Sequence, residues 1–277
     1  MDSLSTVLQR FSITTDVFYS GSLCQLVTYG SGEGAEGHLH FLESGRLILD
    51  GDNGKKIELN EPCALFFPTP QVHRLKALPS DQATIICAAV QYGAGPKNPL
   101  VKALPPRIII KLREAKSFAT NTELLFDEMT QDRPGRKAMM NTLAEMFLIN
   151  LLRHILLSGS AKQGMLAGLA HPQLCKVLEA LHSDPAAAWT LEKMADLALM
   201  SRSKFAAAFK ATVGQSPGEY LTVWRVEAAQ SLLEKEYSVG WVAHEVGYAD
   251  ASALARAFRR VTAVSPRDWK KRHGKMI

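Results

Sequence analysis

The chain has 277 residues, 47% hydrophobic and 21% charged, with a net charge of +5. That length accommodates two domains, and no run approaches the ~20 apolar residues of a membrane span. The polar start lacks the apolar core of a signal peptide. Cysteines at 24, 63, 87 and 175 include no C-x-x-C pair, which suits a reducing cytoplasm and argues against a structural zinc site.

Residues 1–10 read as a short helix with Leu4, Val7 and Leu8 on one face. From Val17 to Tyr92 short apolar runs alternate with turn signals. Strands are expected at Ser22–Tyr29, His38–Leu42, Arg46–Asp50, Lys56–Leu59, Ala64–Phe67 and Thr84–Gln91. A loop is expected at Gly30–Gly37, and a hairpin turn at Gly51–Gly54. Strands so short and so closely spaced suggest a sandwich or barrel. Cys24 and Cys87 fall on these strands.

After Pro96 to Pro99 and Pro105-Pro106, two helical stretches follow, Asn121–Gln131 and Lys137–Leu157, broken at Pro134-Gly135. The second carries Met140, Leu143, Met146, Phe147, Ile149, Leu151 and Ile155, apolar over more than half its circumference. Such a helix must be buried, either in a core beneath the barrel or in a two-helix dimer seam. Ser158–Gly168, rich in Gly, Ala and Ser, reads as an interdomain linker.

The remainder repeats itself. Ser203–Lys210 aligns with Ser252–Arg259 at an offset of 49, continuing through Ser216-Pro217 and Ser265-Pro266. Upstream the offset is 48, pairing Leu191 with Val239 and Ala195 with Ala243, so one extra residue sits in the second turn at Gly247-Tyr248-Ala249. Each unit reads as two helices, a tight turn and a small residue where they cross: a helix-turn-helix used twice, over 191–212 and 239–262. The predicted inward faces are Leu191, Met194, Ala195 and Ala198, then Phe205, Ala208 and Phe209. The outward faces offer Ser203 and Lys210 in the first unit and Ser252, Arg256 and Arg259 in the second. Between the units, Ser216-Pro217-Gly218-Glu219 is a capping box with Pro at N1. The helix it opens is a rigid spacer of about 27 Å, which suits two helices entering successive major-groove segments.

Charge follows the same division. Residues 1–100 carry 7 basic and 10 acidic side chains, whereas 253–277 carry 8 and 1. The terminal block Arg256, Arg259, Arg260, Arg267, Lys270, Lys271, Arg272 and Lys275 is a phosphate-binding footprint.

Ala195, Ser201, Phe205, Phe209, Ser216-Pro217 with Tyr220-Leu221 and Arg225, Val246-Gly247-Tyr248, Phe258 and Ser265-Pro266 together resemble the DNA-binding domain of AraC/XylS-type transcription regulators. The resemblance runs from near His171 to Arg272 and implies a unit reading adjacent grooves of double-stranded DNA. Where the family usually presents larger polar side chains, this chain has Ala206 and Ala207, which moves base choice toward Arg256 or toward Arg202, Ser203 and Lys204. Candidate DNA contacts are Arg202, Ser203, Lys204, Lys210, Ser252, Arg256, Arg259, Lys270 and Lys271.

The Gly45–Gly51 hairpin followed by Pro62, Pro68, Pro70 and His73 resembles a cupin jelly roll, with Pro62 and Pro70 where the cupin motif usually has Gly. Cupins often bind metal through histidines, here His38, His40 and His73. The usual Glu is missing from its spacing, and neither metal nor cofactor is expected. His40, His73 and Cys87 are the candidate effector contacts. Relatives include oxidant sensors, which makes Cys24 and Cys87 candidates for a redox response; the alternative is an inert buried thiol.

The expectation is therefore an α+β, two-domain, cytoplasmic regulator and not an enzyme. It comprises a cupin-like sensor over 1–105, a helical dimerisation segment and linker over 106–169, and a DNA-binding domain over 170–277. Its expected partners are promoter DNA, a small-molecule or redox effector, RNA polymerase if it activates, and a second copy of itself, with no membrane. The competing readings are a cupin-fold metalloenzyme with a helical appendage and an architectural DNA-binding protein without an effector.

Overall fold

The computed structural model describes residues 3–10, 12–30, 36–50, 56–92 and 98–273; the expected Gly51–Gly54 turn lies outside them. The chain divides into two compact units, Ser12–Ser158 and a helical unit from Gly159 onward that also includes the first helix, α1 (Ser3–Arg10). The opening helix thus belongs with the C-terminal half, against α6 described below. Val7 is fully buried and Leu4 nearly so, because this amphipathic face needs an apolar partner.

The first unit contains β1 (Ile13–Leu23), β2 (Leu26–Tyr29), β3 (Gly37–Ser44), β4 (Leu47–Asp50), β5 (Lys56–Leu59), β6 (Cys63–Phe67), β7 (His73–Lys76), β8 (Ala83–Tyr92), α2 (Pro99–Lys102), β9 (Ile108–Lys111), α3 (Lys116–Thr130) and α4 (Arg136–Ser158). A five-stranded sheet, β1-β8-β3-β6-β9, faces a four-stranded one, β2-β7-β4-β5, and every pairing is antiparallel. The cupin-like double-sheet architecture is present. Three details differ from the sequence reading. Ser22–Tyr29 is split between β1 and β2, with Cys24 exposed in the break. His73 opens strand β7 instead of standing beside a turn, and β9 continues the sheet beyond the prolines.

Leu42, Leu47, Leu49, Leu65, Phe67, Leu75, Ile85 and Cys87 fill the space between the sheets. β3 is buried on both faces. Its period of two sends His40 and Leu42 between the sheets and Phe41 outward against Phe147 of α4. α4 is therefore core. Leu143, Phe147, Leu151 and Ile155 pack inside the unit, so they are not the dimer seam. α4 also protects the edge strand: the Thr15 amide donates to Glu145 Oε1 at 3.1 Å and the Val17 amide to Asn141 Oδ1 at 2.8 Å. These bonds occupy edge groups that would otherwise be free to pair with another strand.

The second unit adds α5 (Met165–Ala170), α6 (Leu174–Ser183), α7 (Leu191–Leu197), α8 (Arg202–Val213), α9 (Pro217–Glu234), α10 (Val239–Glu245), α11 (Ala251–Thr262) and α12 (Pro266–His273). The expected linker is shorter than read, because its second half is α5, with Met165, Leu166, Ala167, Gly168 and Leu169 all buried. The small residues there serve close packing: a Cβ on Gly168 would stand 2.5 Å from Leu178 Cδ1. Among the described residues no helix is long and apolar enough to cross a membrane.

Candidate nucleic-acid interface

The two repeats match in length as well as in sequence. α7 and α10 each have seven residues, α8 and α11 each twelve. Their caps match too. Thr190 Oγ1 accepts from the Lys193 amide and Ser238 Oγ from Trp241; Ser201 Oγ accepts from Lys204 and Asp250 Oδ1 from Ala253. Phe205 and Phe209 of α8, like Leu254 and Phe258 of α11, are fully buried. Met194, Ala195 and Ala198 face inward as expected, whereas Leu191 is exposed and Ala208 half-buried.

The spacer α9 has eighteen residues and begins with the expected capping box: Ser216 Oγ accepts from the Glu219 amide while the Ser216 amide donates to Glu219 Oε2 at 2.9 Å. It is locked to the first repeat through aromatic side chains. The His182 ring stacks on Trp224 at 3.7 Å, its Nε2 lies 2.6 Å from Tyr220 Oη, and Tyr220 meets Phe209 edge-on. The Glu219 carboxylate is held below its usual range, first by its Ser216 hydrogen bonds and then by Lys210 and Arg260. Cations from both repeats therefore lie within electrostatic reach of the start of α9.

Of the candidate contacts, Arg202, Ser203 and Lys204 are exposed in the first turn of α8 and Lys210 in its last. Ser252, Arg256 and Arg259 are exposed along α11. Arg256 precedes buried Ala257 and Phe258, so its side chain projects from the face opposite the core. Lys270 differs. It lies within α12 with its ammonium donating to the carbonyls of Glu236 and Tyr237, at 2.6 and 3.2 Å, and paired to Glu236 Oε2 at 3.0 Å. It therefore fastens the α9–α10 joint and is withdrawn from phosphates, while Lys271 beside it is exposed. Lys275 lies outside the described residues. The exposed faces present hydrogen-bond donors and positive charge together, the chemistry that grips phosphates and reads guanine edges.

The sensor unit holds a second polar cluster, between its sheets. His40 is fully buried, and its Nε2 is 2.8 Å from His73 Nε2. His73 Nδ1 donates to the Gln71 carbonyl at 2.8 Å. A neutral His73 therefore presents Nε2 as acceptor and His40 Nε2 must donate, which leaves His40 Nδ1 a buried acceptor without a partner among the described residues. Burial holds both rings neutral: it lowers His40 well below the usual imidazole range, with help from His73 and His38, and brings His73 down to about 4 against the Gln71 bond that raises it. Two imidazoles on one tetrahedral metal stand about 3.3 Å apart. The closer Nε2 pair is a hydrogen bond, and among the described residues no group of three or more His, Cys, Asp or Glu side chains could hold a metal ion.

Around the pair, the Phe67 ring stacks on His73 at 3.8 Å and Tyr29 lies 4.6 Å from His40. Tyr29 Oη is 3.6 Å from Cys87 Sγ. Burial pushes the Cys87 thiol up to about 12, so at neutral pH it is a protonated thiol. Tyr29, Phe67 and the Gln71 carbonyl were not singled out from the sequence. Tyr29 reaches His73 only through the β2–β7 register, a pairing across more than forty residues.

Residues 2–156 match the cupin family and residues 194–272 the helix-turn-helix domain family. A putative AraC-like transcription regulator of Streptomyces lividans is 38% identical over 195 residues, 69% of this chain and 64% of its own length. The chain thus spans less than two thirds of that relative. The RCS-specific HTH-type transcriptional activator RclR of Escherichia coli K12 is 27% identical over 255 residues, 88% of this chain and 87% of its own. Among solved structures, the DNA-binding domain of AdpA in complex with a target DNA is 32% identical, covering 37% of this chain and 93% of its own, with a TM-score of 0.36.

Proposed function

The chain belongs to the AraC-type transcription regulators with an N-terminal cupin domain, and from that premise we propose that it binds promoter DNA in sequence-specific fashion under control of an effector sensed between its sheets. One observation carries the reading: two helix pairs of equal length and equal capping, each with a buried aromatic or aliphatic face and an exposed cationic one. Arg202, Ser203, Lys204 and Lys210 on α8, with Ser252, Arg256 and Arg259 on α11, meet the DNA. Arg256 is the main base reader, and Lys271 contacts phosphate.

The effector site is the His40–His73 pair with Cys87 and Tyr29. Its chemistry calls for a neutral ligand group that donates a hydrogen bond to His40 Nδ1 beside aromatic rings, or for a change at the Cys87 thiol. The protein acts in the cytoplasm as a homodimer without catalysis of its own, and contacts RNA polymerase where it activates. Selection of duplexes from a random library by the full-length protein tests the reading. Enrichment of one sequence, with binding that falls steeply with salt, is the expected result; enrichment of none overturns it.

A further inference from the structure

The two repeats differ in the turn between their helices. In the first helix-turn-helix the turn is made by Leu199, at φ +53 and with 81% of its surface exposed. At the aligned position of the second stands Gly247, at φ +85. The turn itself does not require glycine, since leucine makes it forty-eight residues earlier. What requires glycine is a neighbour: a Cβ at 247 would stand 2.7 Å from Ala186 Cα, 2.9 Å from the Ala186 carbonyl oxygen and 2.8 Å from Arg225 Nη2. Ala186 lies in the connector from α6 to α7, which feeds the first helix-turn-helix. The turn of the second repeat is thus pressed against the approach to the first.

Arg225, on the spacer α9, fills the junction. Its Nε donates to the Pro185 carbonyl at 2.7 Å, Nη2 to the Ala187 carbonyl at 2.9 Å and Nη1 to the Gly247 carbonyl at 3.1 Å. Its guanidinium carbon lies 5.6 Å from the centre of the Tyr248 ring. All three acceptors are neutral carbonyls, and they come from two segments 60 residues apart. A planar fork can serve them at once; a lysine ammonium, a point donor on a flexible stem, cannot. The connector is otherwise pinned as well, with the Ala187 amide donating to Asp184 Oδ1 and the Trp189 indole to the Asp184 carbonyl. The spacer shares an aromatic anchor with the first repeat at Tyr220 and Trp224, and a buried core with the second, where Val226, Ala229 and Leu233 cluster with Val242, Leu254 and Phe258. Arg225 adds a direct tie between the two repeats, from the connector before α7 to the turn after α10.

We propose that Arg225 is a positioning residue for two-groove recognition: by holding the connector of the first repeat and the turn of the second in one guanidinium, it sets the spacing and rotational phase at which α8 and α11 meet DNA. The inference rests on the reading that both helices enter grooves.

The test uses the full-length protein and the duplex it enriches from a random library. A series is built with the two groove sites moved by one or two base pairs either way, together with duplexes in which one site is scrambled. Each added pair moves the sites by about 3.4 Å and turns them by about 35°. The wild type should show a sharp optimum, losing about tenfold or more per displaced pair as the second contact is forfeited. Arg225→Lys should match it within about twofold on single-site duplexes yet show a flattened or displaced optimum, and Gly247→Ala should do the same from the opposite side. Equal losses by both variants on every duplex, single-site ones included, would assign Arg225 to folding alone and overturn the proposal. So would a wild-type optimum retained in Arg225→Lys, or a wild type indifferent to spacing. Failure of the wild type to enrich any sequence would instead remove the DNA-binding reading on which the proposal stands.

Discussion

Phe147 of α4 stands edge-on to Phe41 of β3, ring centroids 4.9 Å apart and planes at 84°, while Phe118 of α3 closes its other side at 5.1 Å. The contact joins helix to sheet within one unit, so the broad apolar face of α4 is covered by its own chain. What α4 leaves uncovered is a different stripe, with Met139 and Met146 at 51% and 40% exposure. Asn121 Nδ2 donates to the Leu143 carbonyl at 3.1 Å, tying α3 to α4.

This moves the proposed dimer seam by part of a turn and separates two outcomes. Met139→Glu with Met146→Glu should yield folded monomers, because a carboxylate on an exposed stripe costs the fold little and a helix seam much. Phe147→Glu should unfold the sensor unit, since loss of a buried Phe alone costs roughly 3–5 kcal/mol before a charge is buried. Sedimentation and circular dichroism on both variants decide it. A wild type already monomeric at micromolar concentration, or a double mutant still dimeric, removes the seam.

Acid should weaken the sensor unit through His73. Its folded pKa is about 4, below the ordinary imidazole value. Between pH 6.5 and 4 the unfolded chain binds a proton that the folded one refuses, so stability is full above 6.5 and falls toward 4. The loss attributable to His73 approaches about 3 kcal/mol, and His40 acts in the same direction. His73→Gln should be less stable than wild type at pH 7, and the gap should close in acid. Urea titrations at pH 7 and 4.5 measure it; a gap of constant size would mean that the ring does not titrate on unfolding.

The helical unit should depend on α5. Met165, Leu166 and Leu169 are each buried, and each is worth roughly 1.5–3 kcal/mol, against roughly 5–15 kcal/mol for a whole domain. A fragment from Gly159 should fold cooperatively and one from His171 should not. The longer fragment should still fall short of the full chain's helical unit, because Leu4 and Val7 of α1 are missing from it. Thermal melts of the two fragments settle the first point; equal melting temperatures would show that α5 is dispensable.

Local rules read this chain well where the signal is local. The equal repeats and the capping box at Ser216 are written in short spacings, and α9 starts where that box stands. The errors lie where distant segments meet. Gly and Ala at 164–168 look like a flexible linker until Leu178 packs against Gly168, and Phe147 looks like an interface until Phe41 meets it. The His40–His73 bond and the Arg225 junction each join residues more than twenty positions apart, beyond the reach of periodicity. Lys270 belongs to the same class: a basic run marks a phosphate footprint, but only the fold shows one member turned back to hold two carbonyls.

That distinction among neighbours gives the sharpest test of the DNA surface. Arg256 is exposed on α11, immediately before the buried pair Ala257 and Phe258, where a guanidinium can bond guanine O6 and N7 together. Such a pair is worth roughly 1–3 kcal/mol of discrimination. Arg256→Ala should therefore weaken binding to the enriched duplex about tenfold or more while barely changing affinity for a scrambled one. Lys271→Ala, lacking a base to read, should weaken both about equally and flatten the salt slope by roughly one unit. Lys270→Ala should leave the slope alone and instead lower the melting temperature, because its ammonium holds Glu236 and Tyr237. Titrations of the three variants against both duplexes at three salt concentrations, with a melt of each, separate these roles. Equal losses on both duplexes for Arg256→Ala would reduce it to a backbone contact. Sequence choice would then fall to Arg202, Ser203 and Lys204 at the start of α8 or to the shape of the DNA itself.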